Sequence, residues 1–257
     1  MRDLIKAEWF KLLKSKTFRV LIILNLSVFF VQWYMYYFEF WNPPRRTQLG
    51  YIELGAGLQY ILHHEVVGYV LAATYVCGEF SNRTWGIGLL CGKSRAAILL
   101  SKMFVFVVAN VFLVLVFTGT EILQTSIYSG GYIETVNAEM WECTIMLLLY
   151  GILGYAVFGV VMVATAVVIK KKVGTIIFGM LSSYIMTQMD IITRDNPLPF
   201  IKYTYAYQLR HLKYKDWTGP CYWGGPFEPG VYIGVMVVTF IISMVVALYA
   251  FNRAELK

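Results

Sequence analysis

The stretch from Glu79 to Lys102, EFSNRTWGIGLLCGKSRAAILLSK, is a short polar and basic island between two long apolar runs. Several runs in the chain approach or exceed the roughly 20 apolar residues needed to span a bilayer, so the island must sit on one side of a membrane while the flanking runs pass through it. Its composition leaves little material for anything else: 58% of the 257 residues are hydrophobic and only 14% are charged. The expected fold class is an all-α integral membrane protein of six transmembrane helices.

Residues 1–16, MRDLIKAEWFKLLKSK, lack a signal-peptide cleavage pattern and place Ile5, Trp9, Leu12 and Leu13 at helical spacing. Arg2, Lys6, Lys11 and Lys14 take mostly the other positions. This reads as a basic amphipathic helix lying in the interface, leading into a first span at about 17–38. The other arrangement is a longer first helix whose end protrudes. Asn42-Pro43-Pro44-Arg45-Arg46 is a helix stop, and the second span is expected at about 56–78. The later spans fall at about 97–120, 143–169, 173–189 and 230–251. Lys170-Lys171-Lys172 joins the fourth and fifth as a helical hairpin. Between the last two, 190–229 forms an aromatic, Pro- and Gly-rich loop expected to fold back onto the interface with a short helix near 199–213. Gly230-x-x-x-Gly234 opens the sixth span as a candidate close-packing face.

Charge sets the orientation. With the amino terminus, the island, the triple lysine and the carboxyl terminus on one side, that side carries 15 basic and 4 acidic residues, and the other 7 and 11. The positive-inside rule makes the first side cytoplasmic, with both termini inside, in a multi-pass membrane protein. The net charge of +7 therefore serves topology, and nucleic-acid binding is excluded because no basic face or binding module gathers it. Membrane lipids are the implied surroundings.

Sites for chemistry are few. Gly86 to Ser94 resembles a phosphate loop only loosely, since Ile87 stands where the first glycine belongs and no α/β domain surrounds it. Cys77, Cys91, Cys143 and Cys221 show no metal-ligand spacing. Cys143 and Cys221 share the non-cytoplasmic side, where isolated cysteines are more often unpaired than bridged. No catalytic residue, metal or cofactor is assigned to this chain.

Polar residues inside apolar runs carry more information. His63, His64 and Glu65 lie near the outer end of the second span, Glu65 about 21 Å from Glu79 at ~1.5 Å per residue. A carboxylate at that depth faces a cavity or a partner. Adjacent helical residues diverge by about 100°, so the three do not close on one metal ion unaided. Asn25, Gln32, Asn110 and Gln188 are interhelical hydrogen-bonding residues or substrate contacts. His63, His64, Glu65, Asn25 and Asn110 are the candidate substrate path.

The island reads Glu79-Phe80-x-Asn82-x-Thr84, then Leu89-Leu90-x-Gly92-x-Ser94-Arg95, then Ser101-Lys102. With the interfacial helix and six spans, it resembles the permease subunit of type-2 ATP-binding-cassette (ABC) exporters, most closely small permeases of bacteriocin- and bacitracin-type resistance or immunity. The architectural likeness covers the whole chain and the sequence likeness about 25 residues. Arg83 stands where such permeases have glycine, and Trp85 follows.

The resemblance implies two ABC ATPase subunits holding ATP and magnesium, and a second permease, identical or homologous. The interfacial helix and the 79–96 loop would contact the ATPases. Carried over residue by residue, Glu79, Arg83, Thr84, Leu89, Ser94 and Arg95 are the coupling residues. The implied function is export of an amphipathic substrate, such as an antimicrobial peptide, a lipid or a hydrophobic drug. Two other classes stay open: an intramembrane enzyme using His63, His64 and Glu65, and a non-transporting membrane scaffold or sensor.

Overall fold

The computed structural model describes residues 1–37, 61–82, 84–128, 138–192, 203–210, 212–214, 220–222, 225–226 and 228–254. Helix α1 (Arg2–Lys14) is followed at once by α2 (Lys16–Tyr37). Ser15 separates them: its backbone is extended, its N–H donates to Leu12 O, and its Oγ accepts from Phe18 N–H at 3.4 Å. The hydroxyl thus satisfies an amide that the start of α2 would leave unpaired. Ile5, Trp9 and Leu12 of α1 pack on the core. Leu13, expected on the same stripe, is 57% exposed, and the buried face is completed by Glu8. At about 100° per residue, Leu13 rotates off a stripe centred between Ile5 and Leu12, whereas Glu8 stays on it.

Helix α3 (Ile61–Tyr75) ends at a turn on Val76, and two short helices follow, α4 (Cys77–Asn82) and α5 (Trp85–Leu90). Gly92 closes α5 with φ of 72°. Its N–H donates to Leu89 O and that of Lys93 to Gly88 O, the paired bonds of a Schellman motif. Only glycine takes this left-handed conformation at no steric cost. Ser94 Oγ then accepts from Ala97 N–H and starts α6 (Arg95–Tyr128).

Helix α7 (Ala138–Ile169) and α8 (Lys172–Ile192) are separated by Lys170, whose φ of 60° stops the first helix. The expected hairpin is looser than its two-residue joint implies, because α8 packs chiefly on α3 and only secondarily on α7. Within 190–229, the described residues form α9 (Tyr205–Arg210) and a small antiparallel ribbon. Its strands are β1 (Lys213–Tyr214), β2 (Pro220–Tyr222) and β3 (Gly225–Pro226), with Cys221 opposite Lys213 and Pro226. Thr204 Oγ1 caps α9 at Tyr207 N–H, and Pro229 opens α10 (Pro229–Asn252) at a position that needs no amide donor.

Among the described residues, three helical segments are long and apolar enough to cross a membrane: Arg95–Thr120, Ile145–Ile169 and Pro229–Asn252. Lys172–Met186 is a shorter apolar helix, and α2 and α3 stand where the first two spans are expected. One continuous core joins α1, α2, α3, α6, α7 and α10. Close approach is set by glycines other than the expected pair. A Cβ on Gly154 would strike Tyr232 and Leu209, one on Gly68 would strike Met162 and Asn110, and one on Gly179 would enter the Tyr69 ring. At Gly230 and Gly234 an added Cβ meets nothing within 4 Å, so that face packs against no described part of this chain.

Candidate functional site

Four charges close a ring where α1, the α3–α4 joint and α6 meet. Glu8 Oε1 pairs with Lys11 Nζ at 2.7 Å and Glu8 Oε2 with Lys102 Nζ at 2.5 Å. Glu79 Oε1 lies 3.1 Å from Lys11 and 3.0 Å from Lys102. The two carboxylates and two ammoniums sum to zero, so each charge has two opposite neighbours. Tyr75 adds its hydroxyl as a donor to Glu8 Oε2 at 2.7 Å and its ring as a face for Lys102, whose Nζ is 3.9 Å from the centroid. Trp85 supplies a second face at 5.2 Å.

The ring is graded from solvent to interior. Lys11 is half exposed, Glu79 and Glu8 nearly buried, and Lys102 wholly buried. Burial works against an ionised Glu8, but Lys102 beside it, with bonds from Lys11 and Tyr75, outweighs that cost and holds the carboxyl below the usual carboxylate range. For Lys11 burial likewise opposes the charge, and Glu8 and Glu79 override it, raising the ammonium above its ordinary value. A charge buried to this degree is tolerable only when paired and hydrogen-bonded. The ring therefore makes α1, α4 and the first turns of α6 a single mechanical unit.

Aromatic packing extends that unit to the carboxyl-terminal end of the chain. The Trp85 ring at the start of α5 lies 4.6 Å from Phe251 and 5.2 Å from Phe80. Arg95 Nη1 donates to Asn252 O at 2.9 Å and Ala254 O at 3.0 Å, tying the first turn of α6 to the end of α10. A guanidinium at these carbonyls satisfies acceptors that a helix end leaves open.

The predicted coupling residues take different places. Glu79 turns inward to the ring, Thr84 is half-buried with its amide donating to Glu79 O, and Leu89 packs on the core. Ser94 caps α6 and Arg95 holds the end of α10. Arg83 lies outside the described residues. Among the described apolar side chains of α5, the one that projects is Leu90, 90% exposed at its tip, followed by exposed Cys91, Gly92, Lys93 and Ser94. The Schellman turn at Gly92 is what directs it outward.

The predicted path residues sit elsewhere, among the spans. His63 Nε2 lies 2.8 Å from Asn25 Oδ1, linking α3 to α2, while Asn25 Nδ2 donates back to Leu21 O. The His63 ring stacks on Phe117 at 4.4 Å, and His64 meets Phe117 and Tyr155 edge-on. Asn110 Nδ2 donates to Tyr155 O at 3.3 Å, linking α6 to α7. Glu65 and His64 are buried. Asn25 and Asn110 are thus interhelical hydrogen-bonding residues. The described residues include no group of three His, Cys, Asp or Glu side chains able to hold a metal. Cys77 and Cys91 are free thiols, while the side chains of Cys143, Cys221 and Gln32 lie outside the described set.

Sequence reasoning named Lys102 only as the end of the island pattern and did not single out Glu8, yet both carried a signal. Glu8 interrupts the apolar stripe of α1 between Ile5 and Leu12, and Lys102 follows Ala-Ala-Ile-Leu-Leu-Ser inside an apolar run. A charge in either setting demands a partner.

A comparison with curated protein sequences finds no match. A family model described as ABC-2 family transporter protein matches residues 4–186, a stretch that holds most of α1, the complete charge ring, the α5 tip, the whole of α2, α3, α6 and α7, and most of α8. The chain therefore belongs to the ABC-2 family of transporter proteins.

Proposed function

We propose that the chain is the membrane-spanning permease subunit of an ABC exporter, with six spans, both termini on the cytoplasmic face of a bacterial plasma membrane, and ATP hydrolysed with magnesium on two separate ATPase subunits. A second permease, identical or homologous, completes the pathway. The substrate is amphipathic, an antimicrobial peptide of the bacteriocin or bacitracin kind, a lipid or a hydrophobic drug.

One observation carries the coupling role. A leucine 90% exposed at the tip of a rigidly braced loop is a protruding apolar contact without an internal use. Behind it, Trp85 and the charge ring connect the loop to α1, α6 and α10. A push on Leu90 is therefore delivered to several spans at once, which is how a subunit without its own nucleotide chemistry uses a partner's. Leu90 is the docking residue in this reading. Glu79 and Arg95 are positioning residues that keep the loop registered to the helices.

Affinity co-purification of the tagged chain from its native membrane in mild detergent tests this. Wild type should bring down an ATPase subunit with ATP hydrolysis; Leu90→Asp should abolish capture at unchanged thermal stability. A chain that purifies free of any ATPase would overturn the reading and favour the scaffold class.

A further inference from the structure

A second site lies between three of the helices. Helices α6, α7 and α10 leave a cleft of about 400 Å³ between them, bounded at its rim by Met1. Leu100 and Val107 of α6, Ala156 and Val160 of α7, and Met244 of α10 line it. This volume is in the range of small-molecule sites, and its walls are almost wholly apolar.

Depth places the cleft among acyl chains. Arg95 bonds Asn252 O, so the start of α6 and the end of α10 share one end of the bundle. Leu100 and Val107 stand five and twelve residues past Arg95, about 8 and 18 Å at 1.5 Å per residue, and Met244 stands eight before Asn252, about 12 Å. The hydrocarbon of one leaflet is half of a ~30 Å core. On α7 the lining runs from Val160 to Leu153, nine to sixteen residues before Ile169 or about 14 to 24 Å, so the cleft opens within the acyl-chain layer of one leaflet and extends past the bilayer midplane. Met1 lines the cleft, and α1 after it carries exposed Arg2 and Lys6 one turn apart on one face, with exposed Asp3 beside Arg2. An apolar slot under a pair of cations is complementary to an acyl chain under an anionic headgroup.

We propose that this cleft is a binding site for one acyl chain of an anionic phospholipid, with Arg2 and Lys6 meeting its headgroup. By wedging between α6 and α10 beside α1, the lipid braces the two helices that Arg95 ties together.

Purified protein in mild detergent, mixed with phosphatidylglycerol or phosphatidylcholine of identical chains, is weighed intact by native mass spectrometry. Wild type should retain phosphatidylglycerol about tenfold better than phosphatidylcholine. Ala156→Trp, which fills the slot, should lose that retention, and Arg2→Gln/Lys6→Gln should equalise the two lipids. If Ala156→Trp fails to fold, Leu153→Phe fills the same slot from one turn away and must show the same loss. Undiminished phosphatidylglycerol retention by a folded slot-filling variant overturns the proposal. So does efficient disulfide cross-linking of Ala156→Cys between two copies in native membranes, which would make the cleft a chain-to-chain interface.

Discussion

Lys102 Nζ, wholly buried, sits 2.5 Å from Glu8 Oε2 across 94 residues of sequence and places the interfacial helix against the third expected span. The contact converts a short amphipathic helix into a structural member of the bundle, since Glu8 cannot leave without stranding a buried ammonium.

Removing one partner of such a pair is strongly destabilising. Lys102→Met should cost about 3–5 kcal/mol by leaving Glu8 and Glu79 to share Lys11 alone, whereas Lys102→Met combined with Glu8→Gln should cost well under the sum of the singles. A double-mutant cycle on thermal unfolding in detergent measures the coupling. Additive singles would mean that the ring does not act as a unit.

Acid and alkali should undo the docking of α1 at opposite limits. Glu8 titrates below its ordinary 4.5 in the folded state, so its contribution is present above 4.5 and is lost as pH falls through the lowered value. Lys11 titrates above its ordinary 10.5, so its contribution is present below 10.5 and is lost as pH rises through the raised value. Hydrogen exchange of α1 should show a protected plateau between these limits. Glu8→Gln should abolish the acid limb.

At the α5 tip, Gly92→Ala should destabilise by about 1–2 kcal/mol through its φ of 72° alone, because an added Cβ meets nothing within 4 Å. Gly92→Asn should recover part of the loss. Thermal midpoints compared with ATPase capture would show whether the turn, and with it the direction of Leu90, matters to docking.

Glycines separate the packed faces of the bundle from the unpacked one. Gly179→Ala should cost about 1–3 kcal/mol by forcing Tyr69 aside, and Gly230→Ala and Gly234→Ala should change stability by under about 0.5 kcal/mol. A large loss at Gly230 or Gly234 in the native membrane but not in the isolated monomer would place a second subunit on that face.

Asn25→Leu removes the acceptor facing His63 and should cost only about 0.6–1.7 kcal/mol, the usual worth of an interhelical bond in a membrane. If export falls by more than that loss explains, as read by substrate accumulation in cells, Asn25 and His63 also serve the pathway.

Apolar run length and connector charge were enough to mark the chain as helical and membrane-embedded, because both report on solvent, which each segment meets separately. The ordered pattern from Glu79 to Lys102 was enough to indicate the family. What the sequence left undecided concerns pairing across distance. The tertiary structure turned Glu79 inward to a lysine of α6 and a lysine of α1, assigned Arg95 to the end of α10, and exposed Leu90 in place of Leu89. It also sent α8 to α3 and moved close packing from Gly230 and Gly234 to Gly68, Gly154 and Gly179. The spacing of residues along one helix fixes which share a face. Which face meets which depends on how several helices jointly bury their charges and fill their gaps, and that is decided only when they pack together.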